Sequence, residues 1–149
     1  AGSDFDEVLA LNVKVPFLLT QALHPLLKGN ASLQRPSHIV NTGSIAGLTT
    51  TSSSYVYGPS KAGLHHLTKV LARKLAADHI LVNAIAPGLF ASKMTADIVE
   101  NEQRRNATVS RSPVGRMGEP DDLARLVVAI VSNGYMTGNI IPIDGGLGL

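Results

Sequence analysis

Cysteine, tryptophan and long apolar segments are absent from this chain of 149 residues. Without cysteine, the chain can form no disulfide and can offer no thiolate to a metal ion. The lack of disulfides is usual for proteins of the reducing cytoplasm. Its longest apolar runs, such as residues 126–131, fall far short of the roughly 20 residues that a membrane-spanning helix needs. No signal peptide is visible in the first residues. We therefore expect a cytoplasmic protein without a membrane partner.

The chain also lacks a large net charge of either sign. The 13 Lys and Arg residues nearly balance the 11 Asp and Glu residues, and no dense basic tract occurs, so nucleic-acid binding gains no support. The five histidines form no H-x-x-x-H or H-E-x-x-H pair, and we expect them at solvent or interface positions with no metal bound. A hydrophobic content of 44% is sufficient for the buried core of one domain.

Apolar residues recur alternately with helical and strand periodicity. The pattern predicts helices over residues 4–27, 57–77 and 121–132, and strands over residues 38–42, 80–86 and 139–143. Strands separated by long helices favour an α/β fold, with a doubly wound parallel sheet covered by helices on both faces. In the first helix, Pro16 offers no N–H to the carbonyl of Asn12, which predicts a kink and a carbonyl that can hold a water. The alternative is a surface helix bent by Pro16, with Asn12 facing solvent.

The most informative pattern is Tyr57-x-x-x-Lys61 at the start of the second predicted helix. Residues four apart lie on one helix face, so the phenol and the ammonium should be neighbours. A phenol has a pKa of about 10, and a nearby ammonium lowers that pKa toward the range useful for proton transfer at neutral pH. Ser44, thirteen residues upstream, could hold a carbonyl oxygen beside the phenol. Because such a Tyr-Lys spacing also arises by chance, its context decides its meaning.

Four further segments supply that context. Asn12 lies in LNVKV, residues 83–88 read NAIAPG, residues 113–120 read PVGRMGEP, and TGN at 137–139 precedes DGG at 144–146. In this order, and with Ser44 and Tyr57-x-x-x-Lys61, these segments resemble the short-chain dehydrogenase/reductase family. The resemblance implies a Rossmann-like doubly wound parallel sheet and a nicotinamide cofactor.

The resemblance also implies roles for single residues. Tyr57 would donate a proton to a ketone, Ser44 would stabilise the developing alkoxide, and Lys61 would lower the pKa of Tyr57. Asn12 would hold the water of a proton relay. The implied cofactor-binding residues are Tyr57, Lys61, Pro87, Gly88, Phe90 and Ser92, with Ser92 standing where threonine is commoner. A plain strand-to-loop turn would explain Pro87 and Gly88, but not a hydroxyl at position 92.

Within the family, residues 57–88, 92–95 and 135–146 resemble the 3-oxoacyl-carrier-protein reductases of rhamnolipid biosynthesis. This implies an oxidoreductase that reduces a 3-oxoacyl ketone with NADPH. The sequence does not decide between NADP and NAD, and it does not identify the ketone. Polyketide, steroid and sugar ketones are the alternatives. The arginines of a polar stretch, which we interpret as a lid, could bind an acidic acyl carrier protein or could form a solvated face. They are Arg104, Arg105, Arg111 and Arg116.

Two predicted helices, 4–27 and 57–77, carry apolar residues beyond a single stripe. The additional residues are Phe17, Leu19, Leu23, Val70 and Ala76. In the family, the corresponding helices pair with their copies across a two-fold axis. We therefore expect a homodimer or a homotetramer.

The glycine-rich turn T-G-x-x-x-G-x-G, which receives the cofactor pyrophosphate in this family, does not occur in the sequence. We therefore expect residues 1–149 to be the C-terminal part of one short-chain dehydrogenase/reductase domain. A catalytically inert fragment is the alternative to an enzyme. The 149 residues alone are expected neither to bind NADP(H) nor to reduce ketones.

Overall fold

The computed structural model describes residues 2–50, 54–92 and 95–149. The helices and strands of this described part are α1 (Gly2–Leu9), α2 (Val15–Gly29), β1 (Ser37–Thr42), α3 (Tyr57–Leu75), β2 (Ile80–Pro87), α4 (Ala96–Glu100), α5 (Glu102–Val109), α6 (Pro120–Val131) and β3 (Ile140–Ile143). Each predicted helix and strand is present, with ends displaced by at most two residues. None of the described helices combines the length and apolar character of a membrane-spanning segment.

The three described strands form one parallel sheet in the order β1-β2-β3. Ser37 lies opposite Ile80 across the first pair of strands, and Ala84 lies opposite Ile140 across the second. Parallel neighbours need long crossovers, and α3 supplies the first while α6 belongs to the second. The carboxyl ends of all three strands therefore meet at one edge of the sheet, the edge at which such sheets bind ligands. The predicted α/β fold is confirmed.

The core is centred on β2, the middle strand. Ile80, Val82, Ala84 and Ala86 have no exposed surface, as is typical of a parallel strand that is covered on both faces. Leu71 and Ala72 of α3 pack on Ile80 and Val82, and Leu27, Ile39, Leu67 and Leu75 complete this cluster. Packing against α3 thus fixes the helix that carries Tyr57 and Lys61 relative to the sheet.

The first predicted helix is interrupted where the kink is expected, but the irregularity is of another kind. Residues Ala10–Lys14 form a π-helical turn between α1 and α2, in which the N–H of Val15 donates to the carbonyl of Ala10. Pro16 lacks an N–H and cannot continue the regular pattern to Asn12, so a wider turn accommodates the proline. The helix therefore changes its residue spacing next to Asn12.

The third helix is shorter than predicted. It ends at Leu75 rather than at residue 77, because Ala76–Asp78 tighten into a 3₁₀ turn. Asp78 in this turn accepts a hydrogen bond from Lys28 Nζ and contacts His24 Nε2, both at 2.8 Å. These contacts join the C-terminal ends of α2 and α3.

Candidate active site

Ser44 begins the turn that follows β1. The N–H of Gly43 donates to the carbonyl of Ile85 at 2.8 Å, so the turn stays attached to β2 beyond the end of the strand. Ser44 is extended and buried, and its Oγ accepts a hydrogen bond from Ala46 N at 3.2 Å at the start of a 3₁₀ turn, Ile45–Gly47. Because that contact uses a lone pair, the hydroxyl proton of Ser44 can be donated to another oxygen.

Tyr57 and Lys61 occupy the first turn of α3 on one face, as predicted. Lys61 Nζ lies 5.7 Å from the centre of the Tyr57 ring and donates a 2.9 Å hydrogen bond to the carbonyl of Thr42, the last residue of β1. Burial lowers the pKa of Lys61, since a half-buried site disfavours the charged amine. The ammonium thus connects the Tyr57 ring to the end of the strand from which the Ser44 turn departs.

Asn12 contacts the same turn of α3. Its Nδ2 donates to Ser60 Oγ at 2.9 Å, and Ser60 Oγ donates to the carbonyl of Tyr57 at 2.8 Å. Ser60 is fully buried, while Asn12 is half-buried. The alternative in which Asn12 faces solvent is therefore wrong. The π-helical turn is joined to the residues that carry the phenol and the ammonium.

Pro87 and Gly88 end β2 beside the end of β3. The N–H of Gly88 donates to the carbonyl of Ile143 at 2.9 Å. A Cβ at Gly88 would lie 2.6 Å from Cα and Cβ of Asp144, so only glycine permits this approach. The carboxylate of Asp144 in turn accepts the N–H groups of Gly146 and Gly148. The DGG segment therefore supports the Pro87-Gly88 turn from the end of the neighbouring strand.

Phe90 and Ser92 are drawn together by Thr95, which the sequence interpretation did not single out. Thr95 Oγ1 donates to the carbonyl of Phe90 at 2.7 Å and accepts from the N–H of Ser92 at 3.0 Å. The Ser92 hydroxyl lies 3.2 Å from the same oxygen. The ring of Phe90 covers Gly118, where a Cβ would approach it to 2.3 Å. The two implied cofactor residues thus lie in one hydrogen-bonded turn.

A cavity of about 310 Å³ lies between the Ser44 turn and the Pro87-Gly88 turn. Ile45 and Ala46 line one side, Gly88 and Leu89 another, and Arg111 also faces it. Apolar walls with few polar groups at the carboxyl edge of a parallel sheet are typical of a small-molecule site. The cavity therefore adjoins the Ser44 turn and the Pro87-Gly88 turn, while the residues that line it do not include Tyr57 or Lys61.

The four arginines of the predicted lid differ in their contacts. Arg104 pairs with Asp97 at 3.2 Å, Arg105 donates to the carbonyl of Val99 at 3.3 Å, and Arg116 makes two hydrogen bonds to Asp122. The guanidinium of Arg111 has no hydrogen bond or ion pair to a residue within the described ranges. Arg111 is therefore the member of this set with a charge available to a ligand of the cavity.

His65 contradicts the expectation that the histidines face solvent. It is 4% exposed, and its Nε2 accepts a 3.4 Å hydrogen bond from the N–H of Ser44. His65 lies one helical turn beyond Lys61, and this regular four-residue spacing from Tyr57 was the signal available in the sequence. Solvent exposure was a correct expectation for the adjacent His66.

Tyr57 and Lys61 of α3 thus lie beside the carboxyl end of β1, from which the Ser44 turn departs, at the edge where parallel sheets bind ligands. The family model described as enoyl-(acyl carrier protein) reductase matches residues 1–148. This chain belongs to the short-chain dehydrogenase/reductase family, and its fold is the Rossmann-like fold of that family.

Known proteins resemble the chain over nearly all of its length. It is 44% identical to the rhamnolipid biosynthesis 3-oxoacyl-[acyl-carrier-protein] reductase of Pseudomonas aeruginosa, over 99% of the chain and 59% of that protein. The P. aeruginosa RhlG/NADP complex superposes with a TM-score of 0.93 at 44% identity, covering 99% of the chain and 60% of the complex's chain.

A short-chain dehydrogenase of Leptospira borgpetersenii with bound NAD⁺ has a TM-score of 0.84 at 33% identity, over 100% of this chain and 58% of its own. The chain thus spans somewhat less than two thirds of the length of the proteins it resembles.

Proposed function

We propose that this chain supplies the catalytic residues of an NADPH-dependent reductase that converts a 3-oxoacyl ketone to a secondary alcohol. The observation that carries the proposal is the position of Lys61. Its ammonium lies beside the Tyr57 ring and is held by the carbonyl of Thr42, two residues before Ser44. The proposal therefore assigns a proton donor, a cation and a hydroxyl to the carboxyl edge of the sheet.

Each of these residues has a proposed task during ketone reduction. Bound NADPH supplies the hydride. Tyr57 gives its phenolic proton to the carbonyl oxygen, and the Ser44 hydroxyl donates a hydrogen bond to the same oxygen as negative charge develops. Lys61 stabilises the phenolate that remains, because a nearby positive charge favours the ionised form of a phenol. Protein groups thus move the proton and stabilise charge.

Asn12 is proposed to restore the proton through a water. Its side-chain amide already donates to Ser60 Oγ, so the relay role belongs to its backbone carbonyl. Pro16 supports this assignment, because it offers no N–H to that carbonyl.

The residues present fit the nicotinamide end of the cofactor. Lys61 and Tyr57 would hold the ribose, while Pro87, Gly88, Phe90 and Ser92 would hold the nicotinamide and its carboxamide. The glycine-rich turn for the pyrophosphate is not in this sequence, which supports the proposal that residues 1–149 form the C-terminal part of one domain. The relative of 44% identity was solved as a complex with NADP, which favours NADP, and NAD remains the alternative.

The proposed substrate is a 3-oxoacyl group, carried by an acyl carrier protein in relatives of this name. The cavity beside Ser44 has apolar walls that suit an acyl chain, and Arg111 provides a charge at its rim. A role for the other three arginines in binding the carrier is less favoured, because each of them already contacts another group of the described chain.

The test measures NADPH oxidation by the complete gene product that contains these residues. We expect turnover of a 3-oxoacyl thioester, and a Tyr57→Phe variant should lose at least about 10²-fold in kcat, as is usual when a general acid is removed. NADPH affinity, measured by calorimetry, should fall far less than kcat in this variant, because Lys61 still holds the ribose. Near-normal turnover by Tyr57→Phe would refute the assignment. Turnover of a steroid or sugar ketone alone would retain the mechanism and replace the substrate.

A further inference from the structure

We propose that His65 is a positioning residue, whose neutral imidazole holds the Ser44 turn in its reactive orientation by accepting the Ser44 N–H at Nε2. The inference rests on the proposed function, because it concerns the serine that would face the substrate oxygen.

The ring of His65 fills a space that two glycines leave open. A Cβ at Gly43 would lie 2.2 Å from His65 Nε2, and a Cβ at Gly47 would lie 2.9 Å from its Cε1. Real side chains do not approach so closely, so this ring and any larger residue at either glycine are mutually exclusive. Gly43 and Gly47, which lie on either side of Ser44 and Ile45, therefore both pack against the His65 imidazole.

The contact with Ser44 determines the tautomer of the ring. Since a backbone N–H only donates, Nε2 must be an acceptor, and the proton of the neutral imidazole then belongs on Nδ1. Protonation of Nε2 would place two N–H groups against each other at 3.4 Å. The imidazolium form is therefore incompatible with the present orientation of the turn.

The surroundings of the ring favour the neutral form. Burial, the largest influence, lowers the pKa of His65, as do the positive charges of Lys61 and Lys69, whereas the nearby backbone of Gly47 raises it. Nδ1 itself is buried and makes no hydrogen bond within the described residues. The turn packed against the ring contributes Gly43, Ser44 and Gly47, none of which titrates. The turn should thus keep its orientation at neutral pH and lose it on acidification below the ordinary histidine value of about 6.5.

A 3.4 Å contact is long for a hydrogen bond, so its effect must be geometric rather than a large gain in binding energy. A small error in the placement of a reacting group lowers a rate strongly, by about 10²-fold for 1 Å. The Ser44 Oγ direction depends on the backbone at residues 43–47, the segment that the ring supports. A change at His65 should therefore appear in kcat rather than in cofactor binding.

Two variants separate the acceptor from the volume of the ring. His65→Leu keeps an apolar group of similar size and removes the acceptor, while His65→Gln keeps an acceptor at similar reach that does not titrate. In the complete gene product, we expect His65→Leu to lose roughly tenfold or more in kcat with NADPH affinity within about twofold. His65→Gln should retain activity within about threefold and lose the acidic limb of the kcat profile.

The exposed neighbour provides the matched control. His66→Gln, on the same helix, should leave kcat and its pH profile unchanged. Equal activity of His65→Leu and wild type, or an equal loss in both His65 variants, would overturn the proposal. So would an acidic limb that persists in His65→Gln.

One measurement does not depend on activity at all. Nitrogen NMR of the histidine rings in the wild-type protein should show His65 neutral at pH 7 with its proton on Nδ1. A proton on Nε2 would overturn the positioning role even in an active enzyme. Conversely, an Nδ1 proton in a protein that reduces no ketone would leave this contact in place and remove the proposed function.

Discussion

The side-chain amide of Asn12 donates a 2.9 Å hydrogen bond to the hydroxyl of Ser60, 48 residues further along the chain. Ser60 donates in turn to the carbonyl of Tyr57, in the turn that also carries Lys61. The first helical segment and the first turn of α3 are therefore held in one arrangement by a buried hydroxyl. The amide of Asn12 has a structural use, which separates it from any task of its backbone carbonyl.

The Asn12–Ser60 contact should be measurable as a coupling energy. Asn12→Ala, Ser60→Ala and the double variant form a cycle in which each single change removes the same hydrogen bond. We expect a coupling of about 0.5–1.5 kcal/mol in the free energy of unfolding, the usual range for one hydrogen bond. Asn30→Ala serves as a control, because the Asn30 amide donates to the exposed carbonyl of Leu26, far from Ser60 in the sequence. Strict additivity of Asn12→Ala and Ser60→Ala would argue against the contact.

Lys61→Met tests the role of the ammonium while keeping the length of the side chain. The variant removes both the charge beside Tyr57 and the donor to Thr42. Turnover of the complete gene product should fall by about 10²-fold, comparable with the loss in Tyr57→Phe, and NADPH should bind more weakly. Lys69→Met on the same helix should change neither quantity. A Lys61→Met protein with normal kcat would remove Lys61 from the mechanism.

Arg111 should contribute to the binding of a negatively charged carrier. Arg111→Ala is expected to raise KM several-fold for a 3-oxoacyl group on an acyl carrier protein, with a smaller difference at high salt because ions screen the attraction. KM for a small uncharged ketone should stay the same. Arg104→Ala is the matched control, since Arg104 already pairs with Asp97. Equal changes in the two variants would favour a general surface effect.

Acid should weaken the protein through Asp122. Hydrogen bonds from Arg116 lower the pKa of this carboxyl to about 2, with the backbone of Glu119 acting in the same direction. A lowered folded-state pKa means that the stabilisation is complete above the unfolded value of about 3.9 and is lost as the pH falls through about 2. Asp122→Asn should therefore reduce the loss of unfolding free energy between pH 4 and pH 2. Asp121→Asn, whose carboxylate is largely exposed, should leave that slope unchanged.

Association through α2 and α3 remains a prediction. Phe17, Leu19, Leu23 and Val70 are between 39% and 55% exposed, as the apolar pattern on more than one helix face predicted. We expect light scattering to show a dimer or tetramer of the complete gene product at micromolar concentration. Val70→Glu should shift it to smaller species, whereas Leu33→Glu, at an exposed loop position, should not. A monomeric wild type would contradict this expectation.

Much of the fold and part of the site were predictable from local patterns. The apolar periodicity located β2, whose side chains are buried almost continuously, and the four-residue spacing placed Tyr57 and Lys61 on one face. Local patterns also located the Pro87-Gly88 turn, because the residues that permit a close approach carry their own signature. These features depend on residues near each other in the chain.

The contacts that complete the site could not be predicted in the same way. The partner of Lys61 is a carbonyl 19 residues away, and the partner of Asn12 is a hydroxyl 48 residues away. The burial of His65 depends on the space beside Gly43 and Gly47, which exists only after α3 has packed on the sheet. Likewise, a missing N–H at Pro16 predicts an irregular helix but does not select a π-helical turn over a kink.

The number of residues in the π-helical turn at Ala10–Lys14 determines the direction in which the side chains of α1 point. Such a turn holds one residue more than a regular α-helical turn, so a deletion of one residue there can restore an unbroken helix. Since each residue of an α-helix advances by about 100°, the deletion would rotate α1 relative to α2 by that amount. Phe5 would then leave its present side of the helix. At this position the protein can be shortened and remain helical, but only by changing which side of α1 meets its neighbours.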